Sequence, residues 1–71
     1  MAKMLQNIYP GLRAEMSRHG DDAETLAKFM NISADSVRRR LRGEVQFDIS
    51  EAMALMKRYG KNFEELFEAV A

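Results

Sequence analysis

Four arginines fall within five positions of this chain: Arg38, Arg39, Arg40 and Arg42. A guanidinium group presents its N–H donors in a planar fork, which suits carboxylates, phosphates and the O6 and N7 atoms of guanine. Asp35 precedes Arg38 and Arg39 at spacings that allow an ion pair along one helix with either arginine, and such a pair contributes only about 0.2–0.5 kcal/mol. The cluster therefore predicts either a solvated helix face or a surface that binds an anionic partner.

One predicted helix, residues 33–42, positions these arginines. Ser33 can accept a backbone N–H bond as its N-cap, and Gly43 terminates it. Three apolar residues recur at helical spacing and define the face that we expect to be buried: Ala34, Val37 and Leu41. Winding the helix groups four charged residues on another side: Asp35, Arg38, Arg39 and Arg42. Ser36 and Arg40 project from a third side.

A second short helix precedes the first, and either Asp21 or Asp22 can serve as its N-cap. Four apolar residues form its buried stripe: Ala23, Leu26, Ala27 and Met30. The stripe stops at Asn31, which adopts a left-handed conformation at modest cost. The small side chain of Ala27 lets the two helices approach closely at a steep angle. Residues 22–42 are therefore predicted to form two helices joined by a tight turn.

Two more helices are predicted near the ends of the chain. The first spans 10–19, begins at Pro10 and ends at Gly20. Its inward residues are predicted to be Leu12 and Met16. The last helix begins with Asn62, which is followed by Glu65 in the spacing of a capping box. Four apolar residues give this helix a large stripe for its length: Phe63, Leu66, Phe67 and Val70.

A fifth helix lies between these, where Asp48 and Glu51 form a D-x-x-E capping pattern. It is predicted to run to Tyr59 and Gly60. Its apolar residues at helical spacing are Ile49, Ala52, Met53 and Met56. In the loop before it, Val45 and Phe47 are expected to anchor against the core rather than to contact a ligand.

The composition allows one small core. With 71 residues and 46% apolar content, the chain is too short for two domains or an enclosed substrate cavity. It contains no cysteine, and His19 alone cannot hold zinc and has no Ser or Cys nucleophile paired with it. We therefore expect no catalytic site, cofactor or metal. The predicted fold is all-α, with five helices in a single compact domain at 9–71 after a short arm at 1–8.

The formal net charge of zero argues at first against a nucleic-acid partner. Four acidic residues, however, lie toward the C-terminal end: Glu51, Glu64, Glu65 and Glu68. We therefore predict a dipolar molecule whose basic helix binds phosphates modestly and in a salt-sensitive way. No apolar run approaches the roughly 18–20 residues of a membrane span, and the N-terminus lacks a signal-peptide core. A cytoplasmic location without membrane contact is expected.

Three segments resemble the lambda-repressor-like, Cro and xenobiotic-response-element type of helix-turn-helix family: YPGLRAEM, LAKFMNISADSVRRRLRGEVQFDISEA and KNFEELF. The resemblance covers residues 9–67 and is closest to small phage or prophage regulators. The family's small residue, turn residue and apolar residue are matched by Ala27, Asn31 and Val37. The chain departs from the family in three places. The glutamine that often opens helix 2 is replaced around Ala23 and Glu24, Asn31 stands where glycine is common, and Arg40 stands where many relatives have an aromatic or aliphatic residue.

This resemblance implies a lambda-repressor-like domain that regulates transcription by binding double-stranded DNA in a bacterial or phage-infected cell. Helix 33–42 would enter the major groove N-terminus first. Residues expected at base edges are Ala34, Asp35, Arg38 and Arg39. Residues expected at the sugar-phosphate backbone are Ser33, Arg42, Arg40, Lys28 and Arg13. For Asp35 we prefer an orienting role toward an arginine over a cytosine contact, while Lys28 and Arg13 fit solubilising charges equally well.

The last helix and the net charge leave two questions about partners open. The stripe of that helix can pack as core or pair with a second copy, and we favour a homodimer on DNA with recognition helices about 34–36 Å apart. The dimerisation candidates are Phe63, Leu66, Phe67 and Val70. The alternative function is a protein-binding module that modulates a repressor or RNA polymerase. The zero net charge and six methionines support that alternative.

Overall fold

The computed structural model describes residues 7–68, and most of them are helical. In chain order the helices are α1 (Pro10–His19), α2 (Ala23–Met30), α3 (Ala34–Leu41), α4 (Ile49–Tyr59) and α5 (Phe63–Phe67). No strand occurs among these described residues, so the all-α prediction is confirmed. The radius of gyration is 11.2 Å, close to the ~11 Å of compact chains of this length.

Capping side chains fix where four of the helices begin, as the sequence predicts. Asp22 and Ser33 accept hydrogen bonds from the backbone N–H groups of Thr25 and Ser36. Reciprocal capping boxes open the last two helices: Asp48 with Glu51 in α4, and Asn62 with Glu65 in α5. Each cap satisfies a backbone donor that has no partner within its own helix. The first helix has no side-chain cap and begins with Pro10, whose missing N–H costs nothing there.

Asn31 ends α2 in the left-handed conformation, with φ 60° and ψ 44°. The next backbone N–H, that of Ile32, donates to the carbonyl of Ala27 at 3.0 Å and closes the turn. Because Ser33 already caps α3, only three residues separate the two helices. The predicted stop at Asn31 and restart at Ser33 are both confirmed. We call residues 22–42, with these two helices and their turn, the α2–α3 unit.

All five helices bury side chains in one core. The fully buried side chains are Leu12, Leu26, Val37, Leu41, Leu55 and Leu66. Met16 and Ala23 join this core, as the sequence predicts, while Met30 and Ala34 pack against it from half-buried positions. The second helix packs chiefly on α3, and α5 packs on α1 and α4. The core therefore fixes α3 by its apolar face and leaves its arginines on the other sides.

The predicted apolar stripe of α4 is wrong in two positions. Ile49 is 80% exposed and Met53 is 61% exposed. Ala52 is buried as predicted, and Met56 packs against the core. In place of the two exposed residues, Leu55 and Tyr59 are buried, because the helix turns the i, i+3, i+7 stripe of Ala52, Leu55 and Tyr59 toward the core. The preceding loop also differs from the prediction: Val45 is exposed, whereas Phe47 packs against the core as predicted. Two overlapping apolar stripes run along this helix, and the periodicity of the sequence alone does not determine which of them faces the core.

A buried carboxylate ties the start of the α2–α3 unit to the end of α4. The side chain of Asp21 is only 4% exposed. It accepts hydrogen bonds from Nε and Nη2 of Arg58 at 3.0 and 2.9 Å, and from the hydroxyl of Tyr59 at 2.6 Å. Burial raises the pKa of Tyr59, so its hydroxyl stays protonated and donates to the carboxylate. Arg58 also stacks over the ring of Phe29, 4.7 Å from its centroid.

The Asp21 carboxylate is expected to make the stability of the fold depend on acid pH. The hydrogen bond from Arg58 lowers the pKa of Asp21 below its ordinary value. Its stabilisation is therefore complete above the unfolded pKa of about 3.9 and is lost as the pH falls through the depressed folded pKa. At pH 7 the change Asp21→Asn should cost about 1–3 kcal/mol of unfolding free energy. Urea denaturation at neutral pH and near pH 2–3 measures both effects.

Asp22→Asn is the matched control, because it removes the same charge from an exposed N-cap where asparagine serves equally well. It should leave the urea midpoint close to that of the wild type. The difference in unfolding free energy between the wild type and Asp21→Asn should become smaller as the pH falls. A difference that stays constant down to pH 2 would show that the ionised carboxylate is not what stabilises this contact.

Candidate nucleic-acid interface

The exposed sides of α3 carry the arginine cluster on a short, firmly positioned helix. Val37 and Leu41 are fully buried and hold the helix against the core. The hydroxyl of Ser33 accepts from the N–H of Ser36 at 3.0 Å and donates to its side chain at 2.9 Å. The cap fixes where the helix begins, and the buried apolar face fixes its rotation about its own axis. Together they determine the direction in which each arginine leaves the helix.

Arg38 crosses from α3 to α2. Its Nη2 group donates to a carboxylate oxygen of Glu24, which lies in the first turn of α2. Both side chains remain partly or largely exposed to solvent. This ion pair bridges the two helices of the α2–α3 unit on the side that carries the predicted base-contacting residues.

Arg39 pairs within its own helix, one turn from Asp35. The distance from Nε of Arg39 to Oδ2 of Asp35 is 3.1 Å, and both side chains are exposed. The sequence predicts an ion pair of Asp35 with Arg39 or Arg38, and the structure shows the pair with Arg39. The ion pair uses the inner nitrogen of the guanidinium group, so the carboxylate lies beside the arginine rather than at its tip.

Arg40 packs between α3 and α4, whereas the sequence assigns it to the phosphate contacts. Its side chain is 18% exposed, and its Nε donates to Glu51 at 2.9 Å. Its Nη1 donates to the carbonyl of Ser36 at 3.1 Å. Glu51 also closes the capping box of α4, so the pair joins two helices through one carboxylate. Leu41 fills the core beside it, and this placement corrects the assignment of Arg40 to the backbone contacts.

Arg42 caps the C-terminal end of α3 and pairs with the loop that follows. Its Nε and Nη2 groups donate to the two oxygens of Glu44 at 2.8 and 3.3 Å. These hydrogen bonds lower the pKa of Glu44 and raise that of Arg42, so both groups are charged at neutral pH. The pair is exposed to solvent at the end of the helix opposite its N-cap.

The remaining predicted contact residues lie on different elements. Ala34 is half-buried against the core, and Asp35 is exposed in the first turn of α3. Lys28 is exposed in the last turn of α2, next to the turn of the α2–α3 unit. Arg13 is exposed on α1. The structure thus brings Asp35, Arg38 and Arg39 together on α3 and leaves Arg13 on a separate helix.

Carboxylates accompany all four arginines of the cluster. Their acidic partners are Glu24, Asp35, Glu51 and Glu44. The surface of α3 is therefore closer to neutral than the run of arginines indicates. Only the partner within the same helix was predicted from the sequence, because the others are brought to α3 by the turn, the following loop and the packing of α4. The sequence does carry one signal for three of these partners, because Glu24, Asp35 and Glu51 each lie in the first turn of a helix.

The predicted dimerisation residues divide between the core and the surface. Leu66 is fully buried and Phe67 nearly so, and both pack in the core, which is one of the two uses predicted for this stripe. Phe63 is 56% exposed. It borders a cleft of about 270 Å³ that is also lined by Tyr9, Gln46, Phe47, Ala52 and Phe67. Val70 lies outside the described residues.

Metal, membrane and family comparisons add no further site. Within residues 7–68, no cluster of three or more His, Cys, Asp or Glu side chains is arranged to hold a metal ion. In the same range, no helix has the length and apolar character to cross a membrane. Comparisons with family models, with curated proteins and with solved structures find no match to this chain.

Proposed function

We propose that this chain is a sequence-specific, double-stranded DNA-binding regulator of transcription with a lambda-repressor-like helix-turn-helix domain. The observation that carries the proposal is the pair Arg38 and Arg39, exposed on a capped helix that follows α2 after a three-residue turn. B-DNA's major groove is about 12 Å wide and admits one α-helix. A short helix that is buried on one face and arginine-bearing on another suits that groove.

The exposed residues of α3 divide into base and backbone contacts according to their position. Arg38 and Arg39 are proposed to donate to guanine O6 and N7, with Ala34 and Asp35 beside them at the leading end of the helix. Ser33 and Arg42, at the two ends of α3, are proposed to contact phosphates, together with Lys28. Arg40 is left out of this set because it joins α3 to α4.

The regulator is proposed to be of the phage or prophage repressor type and to act in the cytoplasm, where its operator lies. Occupancy of the operator would block polymerase or a competing regulator. A reporter gene placed behind the selected site tests this role. Expression that falls when the protein is present supports it, and unchanged expression would contradict it.

Selection from a library of random duplexes tests sequence-specific binding directly. The protein is expected to enrich a short G-containing site, because two arginines each favour guanine. Bound and unbound pools are sequenced after several rounds at moderate salt. A pool that stays random after repeated selection would contradict sequence-specific binding.

We further propose that two copies bind DNA together. A domain of this size makes few contacts, and a two-fold arrangement places recognition helices in successive major grooves about 34–36 Å apart. Among the predicted dimerisation residues that lie within residues 7–68, Phe63 is the exposed one. Sedimentation of the protein alone and at saturation on a palindromic duplex should give two copies per duplex. A monomer in both states would contradict the dimer.

A protein-binding module is the second candidate function, and one specific observation favours it. Ile49 and Met53 are exposed one turn apart on α4, and Phe63 is exposed on α5. Exposed apolar side chains of this size are typical of protein contacts when they are contiguous. Retention of a repressor or polymerase subunit on the immobilised chain, with no retention on DNA, would favour this function over the first.

A further inference from the structure

The two arginines proposed to contact bases each have a carboxylate neighbour held in a defined place. Glu24 comes from the first turn of α2 and contacts the Nη2 group of Arg38. Asp35 comes from the first turn of α3 and contacts Nε of Arg39 at 3.1 Å. Each carboxylate therefore restrains one guanidinium group from a helix start whose backbone is fixed by a cap.

These ion pairs leave donors available on both arginines. A guanidinium group has five N–H donors in a fixed fork, and a guanine edge takes only two of them. The contact of Asp35 is to the inner nitrogen of Arg39, and the contact of Glu24 is to one terminal nitrogen of Arg38. Each arginine can therefore donate to a base edge while its carboxylate contact is kept.

Binding to a phosphate places a different demand on the same groups. In a non-specific complex the affinity comes essentially from phosphate contacts, so the arginines must turn from the base edges toward the backbone. Turning away from Glu24 or Asp35 breaks an exposed ion pair, which is worth about 1.4- to 5-fold in an equilibrium constant. It also leaves an unpaired carboxylate close to the negative DNA backbone. Both effects weaken non-specific binding alone.

We propose that Glu24 and Asp35 are positioning residues that set the sequence selectivity of this surface. They hold Arg38 and Arg39 toward base edges and withhold them from phosphates. The inference rests on the proposed DNA-binding function, adds Glu24 to it, and gives Asp35 a role in selectivity through Arg39 rather than through a base contact of its own. It also accounts for a recognition surface built from arginines in a chain whose formal net charge is zero.

Glu44 provides a matched control on the same surface. It pairs with Arg42 through two nitrogens at the far end of α3, beyond the residues proposed to reach base edges. The change Glu44→Gln removes one negative charge and one ion pair without freeing a base-contacting arginine. It should therefore strengthen binding to every duplex by the same factor.

The test compares Glu24→Gln, Asp35→Asn and Glu44→Gln with the wild type on two labelled duplexes of identical base composition. One duplex carries the selected site and the other a scrambled sequence. Beyond the gain on both duplexes that the loss of one negative charge produces, Glu24→Gln and Asp35→Asn should each strengthen binding to the scrambled duplex about two- to fivefold more than binding to the selected site. Their specificity ratio should fall, and that of Glu44→Gln should be unchanged. Circular dichroism checks that each variant, altered only at an exposed side chain, is folded.

Equal gains on both duplexes in all three variants would overturn the positioning role and leave DNA binding intact. A specificity ratio that falls equally in Glu44→Gln would also overturn it, because the effect would then be one of total charge. If neither the wild type nor any variant binds either duplex at low salt, the proposed function fails and the positioning role fails with it. The salt dependence and the specificity ratio thus separate the two claims.

Discussion

Replacing Gly11 with alanine is expected to cost about 3 kcal/mol of unfolding free energy, a large share of the roughly 4–11 kcal/mol typical of a chain this long. A Cβ atom at this position would lie 1.7 Å from the carbonyl oxygen of Glu65 and 2.9 Å from its carbonyl carbon. Both are backbone atoms of α5 and cannot rotate away. Helices α1 and α5 would have to separate, opening the core around Leu12 and Leu66.

A loss of stability in Gly11→Ala would be diagnostic of the close helix contact, because Gly→Ala within an exposed helix ordinarily stabilises a protein by about 1 kcal/mol. Urea denaturation followed by circular dichroism measures the change. Gly20→Ala is the control: no atom would meet its Cβ within 4 Å, but its φ of 70° disfavours a side chain, so a loss of only about 1–2 kcal/mol is expected. Gly11→Ala with wild-type stability would contradict the close approach of the two helices.

The second large effect is expected in Arg38→Ala/Arg39→Ala, which should lose about 2–6 kcal/mol of affinity for the selected site. Each arginine that donates two bonds to guanine contributes about 1–3 kcal/mol of discrimination. The loss on a scrambled duplex should be smaller, so the sequence preference should relax. Fluorescence anisotropy with the selected site and a set of single-base variants measures both quantities.

Lys57→Ala is the control for charge alone, because it removes one exposed cation from α4. This change should slightly weaken binding to every duplex and leave the ranking of the duplexes by affinity unchanged. The single variants Arg38→Ala and Arg39→Ala should each lose preference at a different base position. Uniform weakening across all sequences, with the ranking of duplexes preserved, would contradict base contact by these two arginines.

Helix bounds and most of the core could be predicted from the sequence because their causes are local. A cap such as Ser33 acts on an N–H three residues away, and Asn31 ends its helix through its own backbone conformation. The rotation of α4 could not be predicted in the same way. Ile49 and Leu55 lie on overlapping apolar stripes, and only the packing of the other helices selects the stripe with Leu55.

The sequence predicted where the arginines lie on the surface of α3, but not most of the carboxylates that neutralise them. Helical winding places Arg38 and Arg39 on an exposed side, and the i, i+4 rule gives Asp35 as a partner of Arg39. The pairing of Arg38 with Glu24 depends on how the turn folds α3 back on α2. The inward position of Arg40 depends on where α4 begins, since Glu51 lies in its first turn. Neither contact follows from spacing along the chain.

Salt-dependent fluorescence anisotropy of the wild-type protein on a mixed-sequence duplex tests most directly whether this surface binds DNA. Two phosphates neutralised per copy, as proposed for Lys28 and Arg42, correspond to a slope of about −1.8 in log K against log salt. The dissociation constant should then rise roughly 12-fold between about 50 and 200 mM salt. The absence of binding at the lowest salt, or affinity that does not change with salt, would contradict a DNA-binding role for α3.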